Sequence, residues 1–337
     1  MEYLRAIFHQ ELLDNVGMVE ITSFQFLPDV VLKKLEPQGY EDNFTDWLEQ
    51  RKQDNLSRAR EILEANNLQQ RFIALKVLFN RDSLIPFVGA GLSMTSEYIG
   101  WTEFLKTIRN ETDYSESDFE ALLESGQYEE AAQVLYDNLP NGAFLEQVES
   151  YFDCQKPLKG IVQRLPFMFK KAVITTNFDS VIKRCYEQES CSFEEELLGK
   201  EALNLPRLLG ANKRVLVKLH GKATSSHNRV FTKSEYDQHY SQTDELKSVI
   251  QALTNTSLLF LGCSLTVDRT IQIIKEIVQD RGIESVPRHY AFLKLRSSDN
   301  KNQRTRQLNE ANIFPIWYEG EHEECIEALL ELLAEDS

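Results

Sequence analysis

The chain has 337 residues, 42% hydrophobic and 27% charged, enough apolar material for one large domain or two modest ones. No run of about 18 apolar residues occurs, and the N-terminus MEYLRAIFHQELL lacks a basic-then-apolar leader, so a cytoplasmic, non-membrane protein is expected. The net charge of −16 is concentrated in two stretches without Lys or Arg, Glu111–Asp153 with 12 acids and Glu319–Ser337 with 8, where direct DNA or RNA binding is disfavoured.

These acidic stretches read either as solvated helix faces or as a docking surface for a basic partner. The five cysteines are odd in number and form no C-x-x-C pair. That pattern fits reduced thiols and argues against a disulfide framework or a four-cysteine zinc site.

Residues 1–80 carry a mostly helical pattern. In NFTDWLEQRKQDNLSRAREILEANN, Trp47, Leu48, Leu56, Ile62 and Leu63 fall near helical spacing, and NLQQRFIALKVLF continues it. No site-like cluster shows in this N-terminal helical extension. A second helical patch, Ser115–Tyr151, reads as a hairpin broken at Gly126. It belongs to a helical insertion expected at about 111–170.

Between these patches and beyond them lie short apolar runs that end in turn residues: LIPFVGAG, AVITTNFD, RVLVKLHG, SLLFLGCS, HYAFLKL and IFPIWYEG. Helical stretches such as Leu246–Leu253 and Val267–Val278 separate many of them. Continuous apolar strands alternating with helices predict an α/β fold, a doubly wound (Rossmann-like) parallel sheet covered on both faces. This domain is expected over 81–320, with an acidic C-terminal helix at 321–337.

In such a sheet ligands bind beyond the carboxyl ends of the strands. Four strand ends there read G-A-G-L-S, T-T-N-F-D, H-G and G-C-S, and all four would share one rim. Gly89 and Gly91 would let backbone N–H groups approach a pyrophosphate, with Ser93 adding a hydroxyl; the bland alternative is a tight strand-to-helix turn. A strict G-x-G-x-x-G is absent, because Met94 holds the last position.

Asn177 can bind a ribose hydroxyl or hold a water, since a carboxamide both donates and accepts. For Asp179 the simpler role is an Asx turn or the N-cap of a helix that begins near Ser180. His220 is the one histidine of six that ends a predicted core strand on this rim, where it suits proton abstraction or a buried structural hydrogen bond. Gly262 and Ser264 suit a ribose or phosphate, or a β-to-α turn capped by Ser264 or Thr266.

The ordered set GAGLS, TTNFD, HG and GCS resembles the sirtuin family, and more narrowly the bacterial sirtuin-like proteins of antiphage defence. VFTKSEYDQHY and LLFLGCSLTVD carry the same resemblance, which covers roughly 80–320. It implies that Gly89, Ala90, Gly91 and Ser93 cradle the phosphates of NAD, and that Thr176, Asn177 and Asp179 lie at the nicotinamide and its ribose. It implies a base at His220, with Gly221 beside it, and adenosine contacts at Gly262 and Ser264.

Protein-deacetylating sirtuins carry two cysteine pairs for zinc after the histidine–glycine motif. Here no cysteine lies between His220 and Gly262. The resemblance therefore implies an NAD hydrolase that uses water, with no metal, rather than a protein deacylase or ADP-ribosyltransferase. A non-catalytic NAD-binding assembly module is a third reading, against which Asn177 and His220 both speak. The resemblance further implies a partner such as a HerA-like ATPase or an Argonaute-type protein, or a longer chain. The N-terminal helical region, which has no site of its own, and the acidic stretches lead to the expectation of a homo-oligomer with 1–80 as its assembly region.

Overall fold

The computed structural model describes residues 2–140, 142–224, 229–240, 243–265, 269–297 and 299–335. They divide into two units, Met1–Glu61 with Glu327–Asp336, and Ile62–Ile326. Thr266 and Val267, expected at the start of a helix, lie outside the described residues, as do 336 and 337 of the acidic terminus.

The first unit contains α1 (Glu2–Val16), β1 (Val19–Ile21), β2 (Phe24–Phe26), α2 (Pro28–Leu35) and the greater part of α3 (Pro37–Ala65). Its core is aromatic. Tyr3, Leu4, Phe8, Tyr40 and Phe44 are buried together, and Trp47 packs against them. The Phe8 and Phe44 ring centroids lie 5.3 Å apart, within the range where aromatic pairs add to plain burial. The Arg51 guanidinium joins Glu11 at 3.1 Å and Glu327 at 2.7 Å.

The helical pattern of 1–80 contains one exception. β1 and β2 form an antiparallel ribbon in which Val19 faces Phe26 and Ile21 faces Phe24. The two-residue alternation of VEI and FQF is a strand signal inside a helix-rich stretch. Thr22 turns the chain with φ 61. The ribbon puts Val19, Ile21, Phe24 and Phe26 on one face, and Phe24 is 66% exposed.

The second unit is built on a sheet of seven strands: β3 (Leu84–Val88), β4 (Ala172–Thr175), β5 (Glu195–Leu198), β6 (Val215–Lys218), β7 (Ser257–Leu261), β8 (His289–Lys294) and β9 (Ile313–Tyr318). Their order is β5-β6-β4-β3-β7-β8-β9, and every neighbouring pair is parallel. The fold is the doubly wound α/β architecture that the apolar runs predict. All five residues of β3 and of β7 are buried, as a sheet covered on both faces requires.

Pro86 sits inside β3 although it has no N–H to give a ladder. β4 pairs with Phe87 and Val88 of β3, so the proline falls before that ladder begins. The strand missed in the sequence is β5. It is a sheet edge with the sequence EELL, of which only Leu197 is fully buried, so it lacks the apolar run that marks the others.

Helices α4 (Gln69–Asn80), α5 (Trp101–Arg109), α6 (Glu116–Glu124), α7 (Tyr128–Asn138), α8 (Ala143–Phe152) and the single turn α9 (Leu165–Met168) come before β4. Then follow α10 (Val181–Gln188), α11 (Leu205–Gly210), α12 (Lys233–His239), α13 (Thr243–Thr254), α14 (Arg269–Arg281), α15 (Lys301–Asn309) and α16 (His322–Ala334). The expected hairpin is α6–α7, broken at Gly126 with φ 76. α5 to α8 bury their own core of Phe104, Leu105, Phe119, Leu135 and Phe144. That core extends to Phe178 and Phe231, so the insertion is packed beside the carboxyl rim of the sheet.

Candidate active site

Strand order puts the four rim motifs side by side. β6, β4, β3 and β7 are consecutive in the sheet, and their carboxyl ends carry H-G, T-T-N-F-D, G-A-G-L-S and G-C-S. The chain winds outward from β3 through β4 to one edge, then returns to β7 on the other side. This reversal is the topological switch point, where open α/β sheets bind ligands.

The two glycine loops lie on each other. Gly89 N–H donates to the Leu261 carbonyl at 2.9 Å, and Gly91 N–H donates to the Gly262 carbonyl at 2.9 Å. A Cβ on Gly89 would come within 2.6 Å of the Gly262 carbonyl oxygen, and one on Gly91 within 2.8 Å of it. Gly262 itself has φ 65, and a Cβ there would lie 2.6 Å from the Leu92 nitrogen. Bare backbone at these positions is thus required by loop-on-loop packing, a need beyond the phosphate approach expected from sequence. Ala90 opens the short turn Ala90–Leu92 between the two glycines.

Ser93 is 1% exposed and accepts a hydrogen bond from Asn177 Nδ2 at 3.2 Å. Asn177 is held by its backbone as well. Its N–H donates to Thr175 Oγ1 at 3.0 Å, while that hydroxyl donates to the Val88 carbonyl at 2.7 Å. Thr175 therefore pins the Asn177 turn to the neighbouring strand β3. Asn177 Oδ1 is buried and has no partner among the described residues. Thr176 is half-buried at the same turn.

Asp179 takes the simpler role weighed for it and adds a second. Its Oδ1 accepts the Val181 N–H at 3.0 Å, an Asx turn just ahead of α10, whose N-cap is Ser180. Burial pushes its carboxyl above the usual range, and the nearby Lys218 ammonium and the Ser93 hydroxyl work against that rise. Lys218, at the end of β6, is 5% exposed. Its Nζ donates to the Phe178 carbonyl at 2.8 Å and the Asp179 carbonyl at 2.9 Å. Desolvation brings its pKa down to about 8, so it remains cationic at neutral pH.

His220 stands in an aromatic niche. Its ring meets Trp101 edge-on at 5.5 Å and Phe178 at 6.4 Å, and Trp101 in turn meets Phe231 at 4.6 Å. His220 Nδ1 is buried and unpartnered among the described residues. Burial lowers the pKa of His220 to about 4, which leaves a neutral imidazole at pH 7. No hydrogen bond joins His220 to Asn177 among the described residues; Phe178 lies between them in sequence and packs on the histidine.

Gly221, with φ 73, turns the chain after His220 and donates its N–H to the Lys218 carbonyl at 3.0 Å. The loop that follows is clamped by Arg229, which is 3% exposed and donates to Glu235 Oε1 and to the Ala223 carbonyl. Glu235 Oε2 accepts the N–H groups of Phe231 and Thr232 at 3.0 and 3.1 Å. This buried pair fixes Phe231 against Trp101, in the span where the sequence has no cysteine. Ser264, on the fourth loop, offers its carbonyl to Arg304 at 3.0 Å.

Sequence reading missed Lys218, Trp101, Phe231 and the Arg229–Glu235 pair. Lys218 had a signal, a charge inside the apolar run VLVKL. The aromatic residues had none, because they come from separate segments. Among the described residues no group of three or more His, Cys, Asp or Glu could hold a metal ion, and no helix is long and apolar enough to cross a membrane.

Part of the chain is similar to known proteins. The family model of the SIR2-like domain matches residues 171–316. The chain is 26% identical over 209 residues to the NAD(+) hydrolase ThsA of Bacillus cereus (strain MSX-D12), covering 62% of this chain and 42% of the relative. It is 28% identical over 188 residues to the defense-associated sirtuin 2 of Bacillus subtilis, covering 54% and 18%. It is 22% identical over 228 residues to the NAD(+) hydrolase ThsA of Acinetobacter baumannii (strain 532279), covering 66% and 45%. The chain thus spans less than half the length of these relatives. Residues 171–316 are thus similar to the SIR2-like domain, and the chain is similar to the NAD(+) hydrolase ThsA and to the defense-associated sirtuin 2.

Proposed function

We propose that the rim site cleaves the nicotinamide–ribose bond of NAD with water, giving nicotinamide and ADP-ribose. The observation that carries this reading is the pair of buried, unpartnered polar atoms, Asn177 Oδ1 and His220 Nδ1, on adjacent rim loops at the switch point. Buried polar atoms without partners cost free energy unless a ligand or water completes them. The names of the relatives support NAD as that ligand.

Nicotinamide leaves NAD as a neutral group, so no general acid is needed. Bond breaking develops oxocarbenium character on the ribose, as in other glycoside cleavages. Asn177 Oδ1 can accept a hydrogen bond from a ribose hydroxyl or the attacking water. Neutral His220 can take the proton. The Lys218 cation would oppose a cationic transition state if it stood alone. Its neighbour Asp179 offsets that charge. Trp101, Phe178 and Phe231 supply an apolar wall that limits water near the reacting carbon.

Incubating the pure protein with NAD and separating the products by chromatography tests the reading directly. Equimolar nicotinamide and ADP-ribose are expected; NAD left intact overturns it. Since Asn177 and His220 carry the step, activity should survive dialysis against EDTA unchanged. Loss that zinc alone restores would reassign the chemistry to a metal.

The proposed setting is cytoplasmic NAD depletion in defence, controlled by assembly. The apolar ribbon face of Ile21, Phe24 and Phe26 is the proposed contact with a second copy or a co-encoded partner. Changing Phe24 and Phe26 to Ser should lower the mass measured by light scattering and alter the rate of NAD loss. An unchanged mass and rate, alone and with every co-encoded neighbour, would remove the ribbon from assembly.

A further inference from the structure

We propose that Glu323 is a positioning residue for ligand binding: its carboxylate latches the 94–98 loop, so that the turn after β3 and the Trp101 wall stand in place before NAD arrives. Resting on the proposed NAD site, the latch gives a task to an acid of α16, a helix whose acids read from sequence only as a solvated face or a docking surface.

Residues 94–98 join two parts of the site. Ahead of them lie Gly89 and Gly91, packed on the Gly262 loop. Behind them α5 opens with Trp101, whose ring meets His220 at 5.5 Å. The loop between these parts does not hold its shape by local preference alone. Glu97 has φ 68, a region that few residues other than glycine enter. Such a conformation persists where the surroundings over-determine it.

Those surroundings are the segment 154–161 and the first turn of α16. Ser96 Oγ donates to the Lys159 carbonyl at 3.1 Å and accepts the Lys159 N–H at 2.9 Å. Tyr98 OH donates to the Cys154 carbonyl, and Lys156 Nζ donates to the Glu97 carbonyl at 2.6 Å. These bonds tie the loop to one neighbouring segment, and Glu323 ties both to the helix. Its Oε2 accepts the Thr95 hydroxyl at 3.2 Å across 228 residues, and its Oε1 accepts the Ile161 N–H. Gly160 lets the three segments close up: a Cβ there would lie 2.6 Å from Thr95 Oγ1 and against Glu323 Oε1.

An acid in a first helical turn favours the helix dipole wherever it points. A carboxylate whose two oxygens meet Thr95 and Ile161 does more, because hydrogen bonds to a charged acceptor are the strong ones. Ligand affinity scales with the fraction of molecules whose loop is in place. The latch should therefore act on binding and leave the chemistry, which Asn177 and His220 carry from β4 and β6, largely untouched.

The test uses Glu323→Ala, Glu323→Gln, Thr95→Val and Thr95→Ser in the full chain, with two readouts. The first is steady-state NAD loss. Glu323→Ala should raise KM about tenfold and Thr95→Val about fivefold, with kcat within about threefold of the parent chain. Glu323→Gln can still accept the Ile161 N–H and donate to Thr95 Oγ1, and Thr95→Ser keeps the hydroxyl, so both should hold KM within about threefold. A lower melting temperature with an unchanged KM would make Glu323 an anchor of the fold only. A fall in kcat at constant KM would place its effect in the chemistry. Either result overturns the proposal.

The second readout is backbone hydrogen exchange of a peptide covering 94–98 in the ligand-free protein, read by mass spectrometry. Exchange should run about tenfold faster in Glu323→Ala and Thr95→Val and at the parental rate in Glu323→Gln and Thr95→Ser. Unchanged exchange in the first two overturns the proposal. This readout needs no turnover, so a parent chain that leaves NAD intact would sink the hydrolase reading while exchange still decides the latch. If Glu323→Ala does not fold, Thr95→Val, which removes only a hydroxyl, carries both readouts.

Discussion

Asn177→Ala and His220→Ala should each lower the rate of NAD loss by ~10²–10⁴-fold, the range for a positioned proton acceptor or its equivalent. Both should keep the fold by circular dichroism, because the ligand-facing atoms Oδ1 and Nδ1 have no partner within the described structure to lose. The melting temperature should fall modestly, since Asn177→Ala removes the Nδ2 bond to Ser93 and His220→Ala the ring contacts with Trp101 and Phe178. Variants that fold and still consume NAD at the native rate would assign the chemistry elsewhere.

The pH dependence follows from burial. A base must be neutral to accept a proton, and activity falls as pH drops through its folded pKa. An ordinary imidazole, with a pKa of about 6.5, would lose half its activity there. His220, brought down to about 4 by desolvation, should keep its share of activity to pH 5. A profile of kcat/KM that halves near pH 6.5 would mean that the site opens to solvent before the chemistry.

Gly91→Ala should destabilise the second unit by about 2–4 kcal/mol. The added Cβ would stand 2.8 Å from the Gly262 carbonyl oxygen and 3.0 Å from its Cα, both backbone atoms that cannot swing aside. Separating the two loops would also break the Gly91 N–H bond to Gly262. Overpacking costs ~1–3 kcal/mol and a lost hydrogen bond ~1 kcal/mol. For a unit of this size the melting temperature should fall by several degrees or more. Gly262→Ala should be at least as damaging, since its φ of 65 adds strain for any residue with a Cβ. Gly210 is helical, and a Cβ added there would meet nothing within 4 Å, so it serves as the control. Gly210→Ala should be neutral or stabilising by up to ~1 kcal/mol. Equal melting temperatures for Gly91→Ala and Gly210→Ala would show that the loops do not depend on close approach.

The sheet was legible because burial on both faces leaves a local trace. Strands such as SLLFL and AVIT must be apolar throughout, and the turn residues that end them are equally local. β5 left no such trace, because an edge strand with exposed Glu195 need not be apolar. The ribbon of β1 and β2 was obscured for a related reason: three-residue strands are too short to stand out against helical neighbours.

The sequence by itself determined the order of the rim motifs, the residue types at each and, through the strand-end rule, that they would share one rim. It could not determine which motifs are neighbours. That was decided by the strand order β6-β4-β3-β7, which brings Ser93 to Asn177 across 84 residues and Lys218 to the Phe178–Asp179 turn across some 40. Nor could it assign the glycines. Gly89 and Gly91 look alike whether a phosphate or another loop lies against them, and only the packed structure shows Gly262 there. The physical reason is the same in each case. Burial and turn chemistry act within a few residues and are written into the chain, whereas contact and electrostatic environment arise between segments that meet only when the sheet has formed.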